Sequence, residues 1–148
     1  MPTIAGFDFP RQRHYDAVNH FWARHDDESN LVSIGIDRLG LQALGELAYM
    51  ALPAVGSRIA RGDAMGTLEA AKMTTELVAP LSGVVIERNE ALLRDPSAVN
   101  IDPYGAGWLV AVEPADWSGE SGQLVSGPAL DEWVAAEVDR YRVEGWID

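Results

Sequence analysis

The sequence predicts a mainly β fold, a β sandwich or flattened barrel with short helices inserted and a helix towards the C-terminus. Short apolar runs recur through the middle of the chain, each bounded by Gly, Pro, Asp or Asn, the rhythm of antiparallel strands joined by tight turns. With 148 residues, 47% of them apolar, the chain suffices for one domain with a substantial core. The clearest amphipathic helical spacing comes only after Pro128.

In chain order, Pro10 to Asp27 mixes His, Arg and Asp with aromatic residues and fits no single template, although Trp22 reads as core. Leu31 to Ile36 is the first strand, and Asp37 caps a short helix over Arg38 to Leu44 that Gly45 ends. Further strands are Glu46 to Leu52, Ala64 to Ala70, Met73 to Ala79, Gly83 to Arg88 and Trp108 to Glu113. Turns lie at Pro53-Ala54-Val55-Gly56, Arg61-Gly62-Asp63, Pro80-Leu81-Ser82-Gly83 and Asp102-Pro103-Tyr104-Gly105. Asp95-Pro96 has the cap-then-proline order that opens a helix, finished by Asn100. Trp117 to Gln123 is polar and glycine-containing and reads as a linker. A last helix starts near Ser126-Gly127-Pro128. Leu130, Trp133, Val134, Val138 and Tyr141 form its packing stripe, and Asp131, Glu132, Glu137 and Asp139 fall largely on its other faces. Residues 1–117 are thus expected to form the domain, with 118–148 a linker and helix packed on it.

Charge narrows the function classes. The chain has 23 acidic against 11 basic residues, a formal charge of −12, which disfavours nucleic acid and anionic membranes as partners. No run approaches the ~18 apolar residues of a membrane span. Met1 to Phe9 lacks the basic and apolar regions of a signal peptide, so a cytoplasmic protein is expected. There is no cysteine, so any sulfur chemistry has to come from an attached group. His14, His20 and His25 have no Cys and no compact His pairing around them and read as surface or packing residues, not metal ligands. No phosphate-binding glycine loop and no nucleophile elbow occurs.

Ten of the 11 basic residues are arginine; the one lysine is Lys72. It sits in Met65-Gly66-Thr67-Leu68-Glu69-Ala70-Ala71-Lys72-Met73-Thr74-Thr75, where two strand-like runs meet with only small residues and the lysine between them. That places Lys72 at the tip of a β-hairpin, projecting into water, with Ala70 and Ala71 leaving its amine unobstructed.

Glu69-Ala70-Ala71-Lys72-Met73, the downstream Ala79-Pro80-Leu81-Ser82-Gly83-Val84-Val85 and the upstream Val55-Gly56 and Arg61-Gly62-Asp63 resemble the biotinyl/lipoyl attachment domains. Gly56 lies sixteen residues before Lys72 and Gly83 eleven after it, a spacing similar to that family's paired glycine turns. Gly35-Ile36-Asp37-Arg38-Leu39, Leu52-Pro53-Ala54-Val55-Gly56 and the stretch from Asn89 through Asp95-Pro96 to Asn100-Ile101-Asp102-Pro103-Tyr104-Gly105-Ala106-Gly107-Trp108-Leu109 resemble, more narrowly, the glycine cleavage H-proteins and their relatives.

The resemblance implies a barrel-sandwich hybrid of two small antiparallel sheets related by a quasi-twofold axis, with the modified lysine on an exposed hairpin. It implies a monomeric carrier, not an enzyme, with lipoic acid covalently bound to Lys72 and Glu69 read by the lipoate ligase or lipoyl transferase. The arm would serve either the glycine cleavage enzymes, as their aminomethyl carrier, or a heterodisulfide-reductase-like complex of sulfur oxidation. Ala70-Ala71 before the lysine and Met73 after it depart from the usual H-protein pattern, and Met73 resembles biotin carriers. A biotinyl carrier, or an unmodified scaffold with the same fold, are the alternatives.

Overall fold

A computed structural model describes residues 3–148. A small N-terminal ribbon pairs β1 (Thr3–Ile4) with β2 (Phe7–Asp8). The unassigned stretch that follows forms two strands, β3 (His14–Tyr15) and β4 (Phe21–Asp26), and β4 pairs along its length with β5 (Leu31–Ile36). Helix α1 (Arg38–Leu44) is capped by Asp37, whose carboxylate accepts from Gly40 N–H at 2.8 Å, and ends at Gly45 as expected. Next come β6 (Leu47–Ala51), β7 (Arg58–Ile59), β8 (Ala64–Ala70), β9 (Thr74–Val78) and β10 (Gly83–Arg88). Two short helices, α2 (Ala91–Arg94) and α3 (Ser97–Ile101), precede β11 (Val110–Pro114).

The strands form a six-stranded antiparallel sheet in the order β3-β4-β5-β11-β10-β7 and a three-stranded sheet in the order β6-β8-β9. Val32, Ile34, Val85 and Val112 of the larger sheet share one core with Met50, Leu68 and Leu77 of the smaller. Along β8 Leu68 points in between Thr67 and Glu69, which point out, and a register shift between Ala64 and Gly66 lets Met65 point in as well.

Three features differ from the sequence reading. Trp117 to Gln123 is not an extended linker: Trp117–Ser121 forms α4, because Asp116 accepts from Gly119 N–H at 3.1 Å and supplies the cap. Trp117 also stacks on His25 at 5.2 Å and meets His14 edge-on at 4.9 Å. Asp95 does not hold the N-cap position of α3; Pro96 holds it and makes no side-chain cap bond, while Asp95 accepts from Ser97 N–H at 3.0 Å. In the last helix, α5 (Leu130–Val143), Glu137 is buried with Leu130, Val134, Val138 and Tyr141 and not turned to water.

The burial of Glu137 has a partner. His20 lies between two carboxylates, with Nδ1 2.7 Å from Asp37 Oδ2 and Nε2 2.8 Å from Glu137 Oε1. Burial pushes the Asp37 carboxyl above its usual range while His20 and the Gly40 and Leu39 N–H groups pull it back; with both carboxylates ionised, both ring nitrogens donate and the ring is an imidazolium. Burial works against that charge, but Asp37 and Glu137 outweigh it and raise the His20 pKa above the usual range. Burial likewise disfavours the Glu137 charge, yet Arg140, at 2.8 and 3.0 Å, and His20 hold its pKa below the usual range. One cation therefore ties the cap of α1 to α5. Around it Phe9, Tyr15, Trp22, Leu130, Val134 and Tyr141 form a second core.

Candidate functional site

The loop between β8 and β9 has three residues, Ala71, Lys72 and Met73, and Ala70 N–H donates across it to Met73 O at 2.8 Å. Hairpin loops this short ordinarily include a residue with positive φ, and none of the three does so here. The turn is held from outside instead. Ala71 N–H donates to Glu46 O at 2.9 Å and Lys72 N–H to Leu44 O at 3.1 Å, so the α1–β6 junction anchors the tip.

Gly45 makes that junction. Its φ of +82° and ψ of −160° fall in a region that is essentially glycine's alone. A Cβ there would sit 3.4 Å from Ala71 Cβ and 3.6 Å from Lys72 Cγ, which is ordinary contact, so backbone conformation and not space selects glycine. Asn100, in α3, braces the same point: its amide donates to Gly45 O at 3.0 Å and its carbonyl accepts from Leu47 N–H at 2.9 Å. Arg38 in turn donates to Asn100 O at 2.9 Å.

Lys72 is exposed and projects from this braced tip. Its Nζ donates to Gln42 O at 3.1 Å, a carbonyl in the last turn of α1 that has no partner within the helix. Among the described residues it makes no ion pair, so the amine is held by one exposed contact that an acylating enzyme can displace. Glu69 is exposed on β8, cross-strand from Tyr49 and Thr74, on the approach to the tip. Lys72 also borders a cleft of about 680 Å³, lined by Met73, Val18, His20, Tyr141 and Trp146 among others.

Tyr104 anchors the Asp102–Trp108 turn, donating to Asp8 O at 2.7 Å and accepting from Arg38 N–H at 2.9 Å, while Trp22 Nε1 donates to Pro103 O at 3.0 Å. Trp22 is core, as expected. Among the described residues no cluster of His, Asp and Glu could hold a metal ion, and no helix is long and apolar enough to cross a membrane.

The profile of the family described as "Glycine cleavage H-protein" matches residues 13–137. The chain belongs to the glycine cleavage H-protein family. A glycine cleavage system H protein of Synechococcus sp. (strain WH7803) is 41% identical over 130 residues, covering 88% of this chain and 98% of that protein. One from Myxococcus xanthus (strain DK1622) is 43% identical over 97 residues, covering 66% and 74%. The crystal structure of a glycine cleavage system H protein from Mycobacterium marinum superposes with a TM-score of 0.75 at 32% identity, covering 87% of this chain and 98% of that one.

As an H-protein the chain is a carrier of covalently bound lipoic acid and not a catalyst, and nothing favours the biotinyl alternative. The residues fit such a group: a lysine amine free of ion pairs among the described residues, on a tip anchored through its backbone, beside a cleft with apolar walls. Sequence reasoning missed Asn100 as the brace and His20 with Glu137 as the clip. Glu137 had left a signal, because it stands three residues after Val134 and four before Tyr141, squarely on the apolar stripe.

Proposed function

We propose that Lys72 is the attachment point of the lipoyl arm, that Glu69 is read by the lipoate ligase or lipoyl transferase, and that the arm serves the glycine cleavage enzymes. The observation that carries this reading is the placement of the chain's single lysine on a three-residue turn, exposed, its amine bonded among the described residues to Gln42 O alone. In this reading residues 1–117 are the carrier unit and 118–148 a segment packed on it, in a monomer that works in the cytoplasm.

Attachment requires the neutral amine. Lys72 Nζ leaves Gln42 O, gives up protons to solvent and attacks an activated carboxyl carbon; the C–N bond forms as the bond to the leaving group breaks. Ala70 and Ala71 offer no side chain that would obstruct the approach. Amide formation removes the one side-chain ammonium and takes the formal charge from −12 to −13, favouring partners with basic faces. When bound, lipoic acid supplies a disulfide that opens and recloses at the end of a flexible arm, with a reach from Cα of roughly 12–14 Å. The turn, fixed at both backbone amides, gives that arm a stationary pivot.

Reconstituted glycine decarboxylation with the lipoylated protein tests the pathway, and rapid turnover is expected. The second reading, service to a heterodisulfide-reductase-like complex, is favoured by Ala70-Ala71 and Met73 around the lysine and by the chain beyond residue 137. Negligible turnover by a fully lipoylated, folded protein would replace the first reading with the second.

A further inference from the structure

Residues after 137 lie past the stretch matched to the H-protein family, yet they build one wall of the cleft that Lys72 borders. The wall has a local cause. Gly145 takes φ +79° and ends α5 with two paired bonds. Its N–H donates to Arg142 O at 3.1 Å, and Trp146 N–H donates to Tyr141 O at 2.9 Å. This is a Schellman closure, which turns the chain back and sets the residue after the glycine against the helix's last turn. The Tyr141 and Trp146 rings accordingly meet edge to face at 5.0 Å. The Arg140 guanidinium covers both rings, at 5.1 and 5.3 Å. Ile147 is buried beyond them, so the turn is pinned on both sides. Trp146 nevertheless remains 43% exposed, as does Met73 at 47%, and both line the cleft with Lys72.

We propose that Trp146 is a positioning residue for the arm on Lys72, and that the segment after residue 137 gives the arm's dithiolane an apolar resting place between Trp146 and Met73. This rests on the assignment of Lys72 as the attachment point. The arm is tethered at the rim of the cleft, and its reach of roughly 12–14 Å spans a pocket of this size. Its methylene chain gains by leaving water, and its sulfurs make favourable contacts with aromatic rings. Ordering several rotatable bonds opposes the docking, so the arm rests reversibly and still departs to a partner. A ring so held is shielded from small reductants in solution.

The test uses the full-length protein, lipoylated on Lys72 and verified by mass, with Trp146→Ala and Trp146→Phe variants alongside. Reduction of the lipoyl disulfide by a water-soluble phosphine is expected to run roughly two- to tenfold faster in Trp146→Ala, the factor that one sulfur–aromatic contact commands. Trp146→Phe should stay near the parent rate. The indole N–H resonance of Trp146, identified as the one missing from Trp146→Phe, should shift on lipoylation of the unsubstituted protein, a readout that survives even if Trp146→Ala fails to fold. An unmoved indole signal together with equal reduction rates, in protein whose Lys72 is shown by mass to be lipoylated, overturns the proposal alone. A missing mass increment at Lys72 overturns the attachment reading and this proposal with it.

Discussion

Replacing His20 by alanine should be among the most damaging single changes in this chain. The imidazolium joins Asp37, which is fully buried, to Glu137 on α5, at 2.7 and 2.8 Å. Its removal leaves the Asp37 charge in the core with only backbone donors such as Gly40 N–H. Breaking a buried pair from one side costs about 3–5 kcal/mol. Because Glu137 keeps Arg140, the lower part of that range is expected. Loss of the stacking on Trp133, at 5.1 Å, adds to it. For a chain of this length each kcal/mol moves the midpoint by about 2–4 °C, so Tm should fall by about 6–16 °C. The pH dependence has a definite sign. The folded-state pKa of His20 is raised, so its contribution is fully present below the unfolded value near 6.5 and is lost as pH rises through the raised folded value. Urea unfolding followed by tryptophan fluorescence at several pH values measures both. A cost under about 1 kcal/mol, or a variant that keeps the parent's loss of stability towards alkaline pH, would refute the imidazolium clip.

Lys72→Arg should unfold within about 0.5 kcal/mol of the parent, since it changes one exposed side chain, yet accept no lipoyl group when treated with a lipoate ligase. Glu69→Ala is expected to slow lipoylation while leaving the thermal midpoint in place; equal rates would show that the enzyme reads another feature. Asn100→Ala removes two hydrogen bonds to the backbone of the α1–β6 junction. At about 1 kcal/mol each it should cost about 2 kcal/mol, seen in urea titration, and it should speed amide hydrogen exchange at Ala71 and Lys72.

What the sequence made legible follows the range of the interactions involved. Strands β5, β8 and β10 and helix α1 appear with the expected bounds because their signals are local: period-two burial, an Asp cap and a glycine end. The hairpin tip at Lys72 was equally local. The support of that tip was not, since Asn100 reaches it from 28 positions along the chain and does so through backbone groups that carry no residue signature. The stretch Pro10 to Asp27 resisted assignment because β3 is only two residues long and is defined by partners elsewhere, including Tyr15 bridging to Val125. Glu137 was misplaced because a charge on an apolar stripe looks like a surface residue until its buried counter-ion is known. Trp117 to Gln123 looked like a linker by composition, and the cap supplied by Asp116 overrode composition.

The most direct test of the central claim is the mass of the intact chain after exposure to a lipoate ligase with lipoic acid and ATP, followed by peptide mapping. Lys72 as the sole lipoyl site predicts a single increment of about 188 Da on the peptide containing Lys72 and none in Lys72→Arg. An unmodified chain, an increment of about 226 Da in a biotinylating system instead, or an adduct that persists in Lys72→Arg would contradict it.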